Sequence, residues 1–200
     1  MHMTTNTVRL GVTLAAATLA AVGCSQYRED TGNRSPDTGE IREFEQATLE
    51  AESRRVIDLY RRIDGTLARF FRDSVGYAVF PSVTRGGAGI SGASGPGLVF
   101  EGGDIITGTA QLEQFAVGAT VGGQEFSQIV FFQNADALNR FKQDQLELNA
   151  NLSAIMVESG AGATNDFRDG VAALVQPKEG LMVDFSLGVQ NFNFMPHNSN

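Results

Sequence analysis

Residues 76–132 read GYAVFPSVTRGGAGISGASGPGLVFEGGDIITGTAQLEQFAVGATVGGQEFSQIVFF, and this stretch decides the fold. It divides into six β-rich runs punctuated by glycine: GYAVFP, GGAGISG, GPGLVFEGG, IITGTAQLE, QFAVGATVGG and EFSQIVFF. In the fifth run Phe115, Val117, Ala119 and Val121 share one parity, while Ala116, Gly118, Thr120 and Gly122 share the other, which is the period of a strand. Twelve of the chain's 23 glycines fall between Gly86 and Gly123. Glycine at that density inside strands marks bulges, sharp bends and close backbone approach. It predicts a tightly coiled antiparallel sheet or a small barrel.

Upstream, from Ile41 to about Phe71, the period is helical. Phe44, Thr48, Ala51, Arg55/Val56, Leu59, Ile63, Leu67 and Phe70 recur at steps of three and four and predict an inward face. Asp37 or Thr38 can cap the start, Glu40 and Glu43 suit the first turns, and Gly65 divides the segment into two helices. Downstream, Asn134 is placed to cap a short helix that turns Leu138 and Phe141 inward. Leu146 to Met156 alternates as a strand, Val171–Pro177 reads as another, and Gly180–Phe194 as a last long one with a bulge near Gln190-Asn191. The expected class is α+β: an N-terminal amphipathic helix or helix pair on a strongly coiled antiparallel sheet, with one short helix inserted.

The chain has 200 residues, 42% apolar, enough for one core without a staple. Its net charge of −8 argues against nucleic acid as a partner. One cysteine excludes an internal disulfide and a multi-cysteine metal site. The two histidines, His2 and His197, lie at the ends, so no histidine stands inside the domain as a base or metal ligand. Gly87–Gly92 matches G-x-G-x-x-G, but Ala-Ser-Gly-Pro-Gly follows where a nucleotide site needs a helix to open. GISG and GASG lack the spacing of a serine elbow, and the only lysines are Lys142 and Lys178. The remaining route to an enzyme is a carboxylate pair from Glu101/Asp104, Glu113 or Asp166/Asp169, which the surrounding Gly and Asn mark as turn residues. We expect no catalytic residue, no metal and no cofactor.

Residues 1–23 read MHMTTNTVRLGVTLAAATLAAVG, with Arg9 before the apolar run Leu10–Val22, as in a signal peptide. That run is shorter than the ~20 residues that cross a bilayer. Its end, Leu19-Ala-Ala-Val-Gly-Cys24, resembles the lipobox of bacterial lipoproteins, with Ala21 where Leu is usual. The resemblance implies cleavage before Cys24 and acylation of its sulfur, which anchors the chain in the envelope. Ser25 in place of Asp implies the periplasmic face of the outer membrane. The alternative is an ordinary secretory signal cut near Gly23, which leaves Cys24 as a free thiol. The chain then divides into a signal peptide (1–23), a polar tether (24–40), one folded domain (41–196) and a polar tail (197–200).

Seven arginines, Arg54, Arg55, Arg61, Arg62, Arg69, Arg72 and Arg85, meet three aspartates between positions 54 and 85. Such an amphipathic helix can lie on anionic head groups, or pack on the sheet with a solvated basic face, or do both.

GYAVFPSVTRGGAGISGASGPGLVF, VGATVGGQEFSQIVFFQNADALNRF and GLMVDFSLGVQNF resemble the SYLF domain, a lipid-binding domain. The likeness rests on Val79-Phe80-Pro81 followed by Arg85, Gly86 and Gly87, on the G-x-G at Gly87 and Gly89, and on Gly118 to Gln124 with Gly122 and Gly123. The Asn134–Phe141 helix completes it, and the likeness spans roughly residues 45–194. It implies binding of membrane lipid (phosphoinositides in eukaryotic members) through the N-terminal helix and the domain; actin, a partner of eukaryotic members, is not expected for a bacterial chain. The expectation is a non-enzymatic envelope lipoprotein that binds anionic lipid, with head-group candidates Arg54, Arg55, Arg61, Arg62, Arg69, Arg72 and Arg85. Two other classes stand beside it: a module that docks another envelope protein, and a carboxylate-dependent hydrolase.

Overall fold

The computed structural model describes residues 38–63, 65–148, 154–156, 167–180 and 189–197. The leader, Cys24, most of the tether, Asp166, the greater part of the alternating run after Leu148, and residues 181–188 lie outside them. Helix α1 spans Thr38–Ile63, so helix begins three residues inside the expected tether. After Gly65–Leu67, a single tight turn, α2 runs Ala68–Arg72, the division expected at Gly65.

The six β runs of the sequence form two strands. β1 is Gly76–Glu101 and β2 is Ile105–Phe132, paired antiparallel along almost their full length. The ladder slips between Phe80 and Val83, Ala88 and Ile90, and Val99 and Phe100. These bulges let so long a hairpin curl instead of running straight. Then come α3 (Ala135–Lys142), β3 (Glu147–Leu148), β4 (Ala154–Met156), β5 (Val171–Gly180) and β6 (Val189–Pro196). The far half of β2 pairs with β5, and its near half with β6. β4 adds to β5 in parallel, and all other pairs are antiparallel. The result is an α+β fold: an N-terminal helix, a strongly curled half-barrel sheet and one short inserted helix. The β2–β6 ladder is unbroken from Gly108/Pro196 to Phe115/Val189, so the bulge expected at Gln190-Asn191 is absent.

Curling creates two apolar layers. On the concave side Phe80, Val83, Val99, Leu112, Phe126, Phe132 and Phe192 meet Leu138 and Phe141 of α3. Here β1 closes on itself: a Cβ at Gly97 would lie 2.5 Å from the Phe80 ring and 2.6 Å from the Val79 carbonyl. Asn134 caps α3 as expected, its side-chain oxygen accepting from the Ala137 N–H at 3.0 Å. On the convex side Val56, Ile57, Tyr60, Leu67 and Phe70 cover Tyr77, Val79, Leu98, Phe100, Ile129 and Phe131.

The predicted inward stripe holds in part: Val56, Leu67 and Phe70 are buried and Ile63 packs on the core, while the rest of the stripe on α1 faces out. Ser53, Val56, Ile57 and Tyr60 are buried, whereas Phe44, Thr48, Ala51, Arg55 and Leu59 face solvent. The two stripes lie on different sides of the same helix. Tyr60, which carries a hydrogen bond into the sheet, decides between them: its hydroxyl donates to the Ser127 carbonyl at 2.9 Å.

Candidate functional site

The arginines on the helices fall into two groups. Arg54 pairs with Glu50 at 2.9 Å, and Arg61 reaches Asp104 at 3.4 Å while covering the Phe71 ring at 4.6 Å. Arg72 pairs with Asp73, and Arg69 lies over Phe70. These four have partners within the protein, although Arg54, Arg61 and Arg72 stay exposed. Arg55 and Arg62 stand on the solvent side; the Nε of Arg62 donates to the Asp58 carbonyl within the helix. They extend the ridge that begins with Ile41 and Phe44, the latter 73% exposed, and continues through Leu59. Glu52, Arg55, Val56 and Leu59 share a shallow hollow of about 270 Å³ with Pro81 and Lys178. Arg61 marks the hairpin-turn end of α1 and Arg55 the Pro81/Lys178 end, so the exposed first turns project away from the Gly102–Asp104 turn.

Arg85 belongs to a different place. It is 2% exposed, and its guanidinium donates to Ser91 Oγ at 3.3 Å. The expectation that it faces head groups on the surface, with the helix arginines, is therefore corrected: Arg85 points into the concave side. The sequence motifs that surround it do converge. Arg85 stands opposite Gln124, Gly86 opposite Gly123 and Gly87 opposite Gly122, so two distant motifs form consecutive rungs of one ladder. A Cβ at Gly87 would sit 2.1 Å from the Ile90 carbonyl, which only glycine permits. Phe80 is in the core, and Pro81 lies under α1 at the hollow. Gly89 falls where the ladder slips between Ala88 and Ile90.

Beside this bend the concave side turns polar. Gln128 Nε2 donates to Gln190 Oε1 at 2.9 Å, and Gln190 Nε2 donates to Gln114 Oε1 at 2.9 Å and to Gln128 Oε1 at 3.1 Å. The amides tie the two limbs of the folded hairpin together through β6. Gln124 Oε1 and Gln114 Nε2 are buried without a hydrogen-bond partner. No sequence signal singled out Gln114, Gln128 and Gln190: polar residues at inward parity are visible only once the parity of each strand is known. An open groove of about 430 Å³ runs along the bend between Thr84, Ser94, Glu113, Gln114, Phe115 and Asn191.

The carboxylates named as hydrolase candidates have separate commitments. Glu101 accepts from Lys142 at 2.6 Å and from Thr107 at 2.5 Å. Asp104, in the left-handed region at φ 80°, accepts from Tyr77 and Arg61. Burial, and after it the contact with Asp104, holds the Tyr77 phenol far above its ordinary pKa. Glu113 is exposed on a strand and Asp169 exposed in a turn. Hydrogen bonding from Ser82, then from Lys178, holds the Glu125 carboxyl below the usual range. Among the described residues, no three His, Cys, Asp or Glu side chains gather as for a metal, and no helix is long and apolar enough to cross a membrane. The chain matches no model of a known protein family and no curated protein sequence.

Proposed function

We propose that this protein is a non-enzymatic, lipid-anchored envelope protein whose domain binds anionic membrane lipid through the outer ridge of α1. The observation that carries the reading is the ridge itself. Ile41, Phe44 and Leu59 expose apolar surface on the same side of the helix as Arg55 and Arg62. Along this side Ile41 and Phe44 come first and the cations follow, Phe44 standing ~16 Å before Arg55 at ~1.5 Å per residue. A helix lying at an interface places such rings among acyl chains and guanidinium groups at phosphates. The lipobox-like Cys24 and the likeness to the SYLF domain support the same reading. Each buried CH₂ of an acyl chain on Cys24 adds ~0.8 kcal/mol of attachment, so the ridge would orient the domain on a surface to which it is already tethered.

The test is flotation of the mature chain, residues 24–200 with Cys24→Ser, on vesicles of phosphatidylglycerol with phosphatidylcholine and of phosphatidylcholine alone. We expect preference for the anionic vesicles at low salt, lost in the Arg55→Glu/Arg62→Glu variant and weakened in Phe44→Asp. Equal binding to both vesicles, unmoved by the arginine variant, would sink the ridge as the lipid-binding element.

A further inference from the structure

At the Gly-rich bend the sheet is inside out. Elsewhere its concave face is apolar, packed with Phe80, Phe126, Phe132 and Phe192. At the bend, inward positions carry Arg85, Ser91, Gln114, Gln124 and Gln190, beside the small Ala93 and Ala116, all buried. Their chain neighbours on the outward face are Ile90, Phe115 and Val189, joined by Val117. These four are 59%, 56%, 40% and 74% exposed. They form one patch, because Ile90 opposes Val117 and Phe115 opposes Val189 across the ladders.

Polar inside and apolar outside is the pattern of β-structure surrounded by hydrocarbon. In water it is unfavourable on both counts, since amides lose hydration and apolar rings gain it. The amide chain Gln128–Gln190–Gln114 and the Arg85–Ser91 bond meet most of the first cost internally. Nothing in the described chain meets the second.

We infer that the bend of the β1–β2 hairpin inserts into the acyl layer of a membrane, with Ile90, Phe115, Val117 and Val189 as the lipid-facing side chains. The inference rests on the lipid-binding reading above and adds the surface that enters the bilayer. Three observations select lipid over a protein partner. Residues 86–93 and 114–123 contain no charged side chain, whereas Arg85 and Glu113 directly precede them and Glu125 stands two residues after the second run. The four outward side chains of the patch offer no hydrogen-bonding group, such groups standing only at its edge with Thr84, Ser94, Glu113 and Asn191, whereas a protein interface of ordinary composition requires about one hydrogen bond per 100–200 Å². Cations also stand at the right level. Lys178 pairs with Glu125 at 3.0 Å, next in sequence to Gln124, and shares its hollow with Arg55, so insertion of the bend brings both cations toward the phosphate layer. Beyond the level of Thr84 and Ser94 each limb of the bend extends roughly five residues, ~16 Å at ~3.3 Å per residue, which is one leaflet of a ~30 Å hydrocarbon core and not a crossing.

The chain contains no tryptophan, so one introduced indole reports alone. The mature chain, residues 24–200, with Cys24→Ser and Val117→Trp is compared with the same chain carrying Met195→Trp, an exposed position near the opposite end of β6. Each is added to phosphatidylglycerol/phosphatidylcholine vesicles, with and without bromine on the acyl chains, and flotation is read in parallel. Ile90→Trp replaces Val117→Trp if the latter does not fold. We expect a blue shift with the bend probe, and quenching by brominated chains several-fold stronger than with the Met195→Trp probe. Flotation without shift or quenching of the bend probe would overturn insertion and leave the ridge reading standing. Absence of flotation on anionic vesicles would remove both. A blue shift that rises with protein concentration in the absence of vesicles would assign the patch to a second copy of the chain and overturn the proposal.

Discussion

The hydroxyl of Tyr60 on α1 donates to the main-chain carbonyl of Ser127 on β2 at 2.9 Å, and both residues are sealed from solvent. This bond passes from the convex layer into the sheet and sets the rotation of α1, hence which residues form its outer ridge. A buried phenol left without an acceptor would be costly, so the bond specifies register as much as it stabilises.

Tyr60→Phe is therefore expected to cost ~1–2 kcal/mol in denaturant unfolding, since it deletes one buried hydrogen bond and keeps the ring. Tyr60→Ala is expected to cost ~3–5 kcal/mol, because the cavity opens under α1. Equal losses for the two variants would mean that the ring has no packing role.

Burial raises the pKa of Tyr60, and burial together with Asp104 raises that of Tyr77. Both phenols keep their proton longer folded than unfolded. The stability tied to them is complete below the ordinary tyrosine pKa of ~10 and declines as pH rises above it. In the Tyr27→Phe chain, which retains only these two tyrosines, tyrosinate absorbance should appear together with loss of circular dichroism and not before it. Ionisation of the folded protein near pH 10 would contradict the burial of both.

Gly97→Ala tests the closure of β1 on itself. Its methyl would meet the Phe80 ring and the Val79 carbonyl, and backbone cannot yield as a side chain can. We expect a loss of several kcal/mol, ~3 or more, or failure to fold. Gly86→Ala is the control, because its nearest contact would be the Gly122 carbonyl at 4.0 Å. A tolerant Gly97→Ala chain would show that the limbs lie further apart.

The amide chain is expected to be sharply non-additive. Gln190→Leu alone strands Gln114 and Gln128 and should cost ~2–3 kcal/mol. The triple change of Gln114, Gln128 and Gln190 to Met removes every member, and should cost less than the single one despite touching three sites. Additive losses in a set of thermal melts would mean that the amides do not act as one network.

Much of this was legible in the residues. Alternation and glycine spacing gave a coiled antiparallel sheet, Asn134 marked the start of α3, and Gly65 the break after α1. The six β-rich runs join into two long strands, because glycine marks a bend within a strand and the end of one with the same residue. Of the predicted α1 stripe only Val56 and Ile63 face the core, because Ser53 and Tyr60 turn inward with polar groups that an apolar period passes over, while Phe44 faces out. At the site, the motif around Arg85 was visible but its direction was not: inward or outward depends on strand parity across bulges at Phe80/Val83 and Ala88/Ile90.

By itself the sequence determined the α+β class, the uncharged Gly-rich hairpin, the basic stretch after Arg54 and the lack of a histidine inside the domain. These depend on composition and local period, which a linear chain carries in full. Only the tertiary structure decided that Arg85 stands opposite Gln124, that Gln114, Gln128 and Gln190 form one chain of amides, and that Ile90, Phe115, Val117 and Val189 share an outward patch. Those relationships join residues up to a hundred positions apart. They arise when a bulge shifts parity by one and turns every following side chain to the other face.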